Sequence, residues 1–188
     1  MLFSQNNPVP SDEFALLKPI LHSGLSMLEL GNKKNRNGIY KTYFESMDIR
    51  HVSIDWNGKD GAIPLDLRDK SNLFVNNWYD SFDIVTNFGT TEHVIPQCHV
   101  WDNILNFVKV GGYIVSVTPI PGDWTWHQKD GRYPTKEFYE DLAKNNGLVI
   151  ETLYQGKHAP RRLNYVRMKK TRPIIDPQVN KDLIEINA

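Results

Sequence analysis

The stretch Met27-Leu-Glu-Leu-Gly31 constrains the fold more than any other part of the chain. A short apolar run stops at a glycine and a polar segment, Asn32 to Asn37, follows; Ile39, Tyr40, Tyr43, Phe44 and Met47 then recur at the offsets of an amphipathic helix. A strand that is apolar throughout belongs in a parallel sheet, whose strands are joined by crossover helices. Glycine at the end of such a strand lets the backbone approach a ligand, and the next helix points its N-terminus at the same place. The segment therefore predicts the start of a nucleotide-type ligand site at the carboxyl edge of a sheet.

The remaining chain repeats this unit. His51-Val-Ser-Ile-Asp55 is a second short strand that ends on an acid, and residues 57–61 and 64–69 after it are rich in turn formers. Ser81-Phe-Asp-Ile-Val-Thr-Asn-Phe-Gly89 reads as a buried strand with glycine where the chain turns sharply, and Tyr113-Ile-Val-Ser-Val-Thr118 as another central strand. Between them, Pro96 suits a helix's first turn, Val100, Trp101, Ile104, Leu105 and Val108 supply its buried face, and Gly111-Gly112 close it. Upstream, Ser11 caps a helix with Asp12 and Glu13 in its first turn and Phe14, Leu17, Ile20 and Leu21 at helical spacing. Downstream, Thr135 caps a helix through Phe138, Tyr139, Leu142 and Ala143 that stops at Gly147. Residues 148–153 and 163–168 form two last strands, joined by a loop too short for a parallel crossover, so the pair is expected to be antiparallel.

Alternation of this kind implies an α/β fold: a doubly wound, mostly parallel sheet with an antiparallel last strand and helices on both faces, its ligands held at the strands' carboxyl ends. The organisation expected along the chain is a flexible arm over residues 1–10, a single Rossmann-like domain over 11–172, and a C-terminal tail over 173–188 with one helical turn. Residues 119–134 make a loop that is long for a compact domain, a kind usually functional or disordered.

Composition removes several alternatives. The 22 basic and 22 acidic side chains cancel, so no global field recruits nucleic acid or an anionic membrane. Cys98 is the only cysteine, which excludes an internal disulfide and a cysteine-rich zinc site and fits a reducing compartment. No other residues show metal-ligand spacing. The N-terminal residues lack a signal-peptide pattern, and no run approaches the roughly 18 apolar residues of a membrane span, so a soluble cytoplasmic chain is expected.

Five segments, in order, resemble the class I S-adenosylmethionine-dependent methyltransferases over roughly residues 25–170. Leu28-Glu-Leu-Gly31 is similar to the family's first glycine motif and Ile54-Asp55 to the acid that closes its second strand. Leu65-Asp-Leu67 is similar to the segment beside the adenine, and Phe82-Asp-Ile-Val85 to the start of the fourth strand. Lys109-Val-Gly-Gly112 resembles the basic residue, spacer and paired glycines before strand five. The closing antiparallel pair resembles the end of the family's seven-stranded sheet and separates it from ordinary dinucleotide-binding sheets. One departure stands out. The family's first loop carries two or three closely spaced glycines, whereas Gly31 is followed by six polar residues before Gly38. The absent G-x-G-x-x-G also argues against a nicotinamide cofactor.

The cofactor implied by the resemblance is S-adenosylmethionine, and the residues expected to bind it are the strand-end ones: Glu29, Gly31, Asn32, Asp55, Trp56, Asp66, Leu67, Asn87, Phe88 and Gly89. A carboxylate accepts two hydrogen bonds from a vicinal diol, so Asp55 suits a ribose. Trp56 either covers the face of the adenine or is a core or rim tryptophan. Asp66 either accepts from the exocyclic amine of the base or forms a turn. Glu29 is expected near the amino group of the methionine part, with a carboxylate held by backbone amides as the alternative. Asp83, at a strand's start, is read as structural. Because the cofactor activates its own methyl group, the protein's task is alignment and proton removal, for which histidine has a suitable pKa. His93 in Thr90-Thr-Glu-His-Val94 and His127 in Pro121-Gly-Asp-Trp-Thr-Trp-His127 are the two candidate bases. Trp124, Trp126 and Tyr133 either wall an acceptor or pin their own loop. The acceptor expected is a small molecule methylated on oxygen or nitrogen. Nucleic acid is disfavoured because the fourth strand ends Asn87-Phe-Gly-Thr and because the seven lysines and arginines of residues 157–172 lie largely on a hairpin. A non-catalytic cofactor-binding or regulatory protein of the same fold is the rival reading, and a nicotinamide oxidoreductase a weaker one.

Overall fold

The structure, a computed structural model, describes residues 11–32, 39–69, 77–122, 131–158 and 161–186. The first strand, β1 (Ser26–Leu30), is buried along its whole length, as its apolar composition requires. It is flanked by α1 (Ser11–Leu17) and α2 (Ile39–Glu45), and β2 (Arg50–Asp55) and the two-residue β3 (Ile63–Pro64) follow. Then come β4 (Phe82–Phe88), α3 (Gln97–Phe107), β5 (Val108–Pro119), β6 (Arg132–Pro134) and α4 (Lys136–Asn146). The chain finishes with β7 (Leu148–His158), β8 (Arg161–Lys170) and β9 (Ile184–Ile186).

Seven strands form one sheet in the order β3-β2-β1-β4-β5-β8-β7. β1 pairs in parallel with both β2 and β4, so the strand order reverses beside it. β8 runs antiparallel to both its neighbours, β5 and β7. Successive side chains of a strand go to opposite faces, and the two faces carry separate cores. Met27, Ile84, Val115 and Val117 pack with Leu17 of α1 and Tyr40 and Phe44 of α2. Leu28, Leu30, Val85, Ile114 and Val166 pack with Trp101 and Ile104 of α3 and Phe138 and Leu142 of α4. The fold is the expected α/β architecture with helices on both faces.

Sequence signals set most element ends. The Thr135 hydroxyl accepts from the Phe138 N–H at 3.1 Å and starts α4, and Gly147 closes it in the left-handed conformation. The expected end of α3 moves. Apolar spacing puts Val108 on the helix's buried face and Gly111-Gly112 at its stop, but α3 ends at Phe107 and Val108 is already extended, paired with Phe82. A β-branched residue fits the pleated sheet, and the register shift between Phe82 and Ile84 absorbs the two glycines inside β5. The end of α3 is fixed instead by Lys170, a fully buried lysine on β8. Its ammonium donates to Asp80 Oδ1 at 2.6 Å, the Leu105 carbonyl at 2.9 Å and the Val108 carbonyl at 2.8 Å.

Residues 173–186 contain the expected helical turn, Lys181–Leu183, and also β9, which pairs antiparallel with β6. Asn146 exchanges two hydrogen bonds of 2.7 Å with the backbone of Gln178, fastening this segment to α4. Among the described residues, no helix is long and apolar enough to cross a membrane.

Candidate functional site

The carboxyl ends of β1 and β2 and the loops after them enclose a cavity of about 480 Å³. That volume lies within the range of small-molecule sites, and the position, where the strand order reverses, is where open α/β sheets bind ligands. Its wall gathers residues from four separate stretches: Gly31; Ile54, Asp55 and Trp56; Pro64 to Arg68; and Thr90 with His93 to Ile95.

Gly31 turns the chain with φ +68°, and its N–H donates to the Ile54 carbonyl at 2.8 Å. Thr90 presses against it: a Cβ built at Gly31 would lie 2.2 Å from the Thr90 Oγ1, and that hydroxyl donates to the Leu30 carbonyl at 2.8 Å. The loop after β4 is thereby locked onto the end of β1. Asp55 stands at the end of β2 with Oδ1 accepting from the Asn57 N–H at 3.1 Å, which fixes the carboxylate at the cavity's edge. Beside it Trp56 leaves 81% of its surface exposed, an unusual position for an indole and one that offers a bare aromatic face. On the far wall, Asn103 of α3 donates to the Leu67 carbonyl at 2.7 Å and so holds the segment 65–67 in place.

Asp66 and Arg68 form a side-on pair at this wall. Arg68 Nε reaches both carboxylate oxygens at 2.9 Å and Nη2 reaches Oδ2 at 2.6 Å, while the Arg68 backbone N–H donates to Oδ1 at 2.9 Å. These hydrogen bonds hold the Asp66 carboxyl below the usual carboxylate range. His93, partly exposed, lines the opposite side, its Nε2 3.9 Å from Oε1 of the buried Glu92.

The structure thus brings six of the expected residues, Gly31, Asp55, Trp56, Asp66, Leu67 and His93, to one cavity. Five others are placed elsewhere. Glu29 is 1% exposed and lies on the α2 side, its Oε2 3.2 Å from Nε2 of the equally buried His51, which stacks on Phe44. Asn32 is buried and donates to the Lys59 carbonyl at 2.6 Å, joining the loop after β1 to the loop after β2. Asn87 points to the α3 and α4 side, where its amide nitrogen donates to Thr91 and Ser116 and its oxygen accepts from two backbone N–H groups. Phe88 belongs to the core under α1 and α2, and Gly89 turns the chain with φ +72°. His127, Trp124 and Trp126 lie outside the described residues. Arg68 is a residue of the site that sequence reasoning misses: it belongs to the same turn as Asp66, and only the turn's geometry pairs the two. His51, the buried partner of Glu29 away from the cavity, has no motif to mark it either.

Asp83 is structural, as expected. Burial alone would raise its pKa, but hydrogen bonds from the Ser26 hydroxyl and the Lys109 ammonium, with one from the Ser26 N–H, outweigh this and lower it. Among the described residues no group of three or more His, Cys, Asp or Glu side chains is arranged to hold a metal ion.

No protein-family model matches the chain, and no curated protein matches it in sequence. Solved structures match it in shape. It is similar to 1,6-didemethyltoxoflavin-N1-methyltransferase from Burkholderia thailandensis, solved with S-adenosylhomocysteine, at a TM-score of 0.63 and 11% identity over 91% of this chain and 81% of that one. It is similar to geranyl diphosphate C-methyltransferase from Streptomyces coelicolor A3(2), also solved with S-adenosylhomocysteine, at 0.66 and 11% over 86% and 80%. It is similar, too, to the [4+2]-cyclase SpnF, at 0.67 and 11% over 89% and 85%. The chain has the class I methyltransferase fold.

Proposed function

We propose that this chain, built on the class I methyltransferase fold, binds S-adenosylmethionine in the cavity beside Gly31 and transfers its methyl group to an oxygen or nitrogen of a small-molecule acceptor. The observation that carries the reading is the convergence of Gly31, Asp55, Trp56 and the segment 65–68 on one cavity at the reversal of strand order. The donor set fits the group. A carboxylate at a strand end suits the vicinal hydroxyls of a ribose, an exposed indole suits the face of a base, and glycine at φ +68° leaves the backbone close by. When bound, the cofactor supplies an activated methyl on a sulfonium. The protein's part is then to align the acceptor and take a proton where the acceptor carries one. His93 is the histidine on the described cavity wall and our candidate base, with His127 as the second candidate.

The test is thermal denaturation of the full chain with S-adenosylhomocysteine and, separately, with NADH. Stabilisation by the first alone is the expected result, and no shift with either removes the cofactor assignment. His93→Ala is expected to slow turnover and leave cofactor affinity in place; turnover unchanged across pH would put the base elsewhere.

One observation favours a second reading. The same fold is found in a protein named as a cyclase, so the architecture alone does not fix the reaction, and the first loop of this chain lacks the closely spaced glycines of methyltransferases. In that reading the chain binds the cofactor without using its methyl group. Binding of S-adenosylhomocysteine, together with no transfer of labelled methyl to any member of a broad small-molecule acceptor panel, would favour it.

A further inference from the structure

Arg68 is the one strongly basic side chain on the described cavity wall, and the reading above gives it no task. Its pairing with Asp66 constrains what both can do. A carboxylate offers about four lone-pair positions. Three N–H groups of Arg68, the Nε–H shared between both oxygens, make four contacts between 2.6 and 2.9 Å and occupy most of them. A base amine arriving at Asp66 would compete with a charge-assisted internal pair. The guanidinium, in contrast, still has donors to give. Nε and Nη2 are held by Asp66, and Nη1 makes no hydrogen bond among the described residues.

We propose that Arg68 reads the base of the bound cofactor, donating from Nη1 to the ring nitrogen N1 of adenine, with Asp66 acting as the anchor that fixes the guanidinium plane. The proposal rests on the assignment of this cavity to S-adenosylmethionine. N1 is the acceptor next to the exocyclic amine on the Watson–Crick edge, the edge that the segment 65–67 is read as facing. In adenine N1 accepts. In hypoxanthine it carries a hydrogen, and that N–H opposes the guanidinium N–H. Arg68 is thus a specificity-determining residue, and Asp66 a positioning residue that acts through it.

The test is isothermal titration of the full-length wild type and of Arg68→Ala with three ligands: S-adenosylhomocysteine, its 1-deaza analogue, in which N1 is replaced by C–H, and its 7-deaza analogue. The wild type is expected to bind the parent about tenfold more tightly than the 1-deaza analogue, as for a lost hydrogen bond to a charged donor, and about as tightly as the 7-deaza analogue. In Arg68→Ala the parent and the 1-deaza analogue should bind alike. Asp66→Ala, which frees the guanidinium, should narrow the tenfold gap. Because Arg68 is exposed, these variants keep their fold, which circular dichroism checks. Equal wild-type affinity for parent and 1-deaza analogue, a gap that survives Arg68→Ala or is untouched by Asp66→Ala, or sensitivity to the 7-deaza change instead, overturns the inference while the cofactor assignment stands. No binding of S-adenosylhomocysteine by the wild type removes both.

Discussion

Thr90 packs so closely on Gly31 that nothing larger than hydrogen fits between them. Alanine at residue 31 would face two costs, a left-handed φ of +68° and overlap with the Thr90 side chain. Together these should lower stability by roughly 2–4 kcal/mol. Chemical denaturation of Gly31→Ala measures the loss, and adding Thr90→Ala should return part of it. Asp83 makes a different prediction because it titrates. Its folded pKa is depressed, so the unfolded chain binds protons more readily. The stabilisation is therefore complete above the unfolded carboxylate pKa of about 4 and is lost as pH falls through the folded value. Urea unfolding at pH 7 and near pH 3 should show Asp83→Asn clearly weaker than wild type at the higher pH and the difference reduced at the lower. Neither residue needs a ligand for its effect, which separates these predictions from the proposed function.

At the scale of elements, α3 controls the cavity without touching its interior. Asn103, buried on that helix, donates to the Leu67 carbonyl at 2.7 Å, and its partner segment forms the wall where Asp66 and Arg68 sit. Asn103→Leu leaves that buried carbonyl without its donor and should cost about 1–3 kcal/mol. It should also weaken S-adenosylhomocysteine binding several-fold; titration calorimetry beside denaturation tells the two effects apart. Strand positions were the legible part of the sequence. Topology alone carries a strand's last residue to the carboxyl edge, so Gly31, Asp55 and Trp56 could be placed from local pattern. Side-chain direction was less legible. Asn87 is in register with Leu30 and shares its face, which takes it to the α3 and α4 side, and Glu29 disappears beneath α2 beside His51. Both depend on which helix covers which face, and that is decided by packing between elements far apart in sequence. The end of α3 was misread for a local reason. Val108 continues the apolar spacing of the helix, yet its β-branched side chain and a pairing with Phe82 make it the first residue of β5.

For the whole molecule, the separation of the two faces matters most. One core lies under α1 and α2 and the other under α3 and α4, while the cavity opens at the edge they share. The six expected residues that reach that edge are fixed by backbone topology; of the other five, Glu29, Asn87 and Phe88 are turned into one layer or the other, while Asn32 ties two loops together and Gly89 turns the chain after β4. Arg68 lay outside what the sequence disclosed because its pairing with Asp66 is a property of the turn's geometry and not of spacing.

The position of β8 between β5 and β7 has a consequence for the order in which the chain is made. β5 and β7 are not neighbours; β5 finds its second partner, and β7 its one partner in the sheet, in residues 161–170. A nascent chain that has reached His158 already contains every described residue of the cavity, yet β5 has one bare edge and β7 has no partner strand. Unpaired edges of this kind invite association with other chains. A version ending at His158 is therefore expected to be recovered mainly as aggregate, and adding back residues 159–172 should restore soluble protein, as fractionation after expression would show.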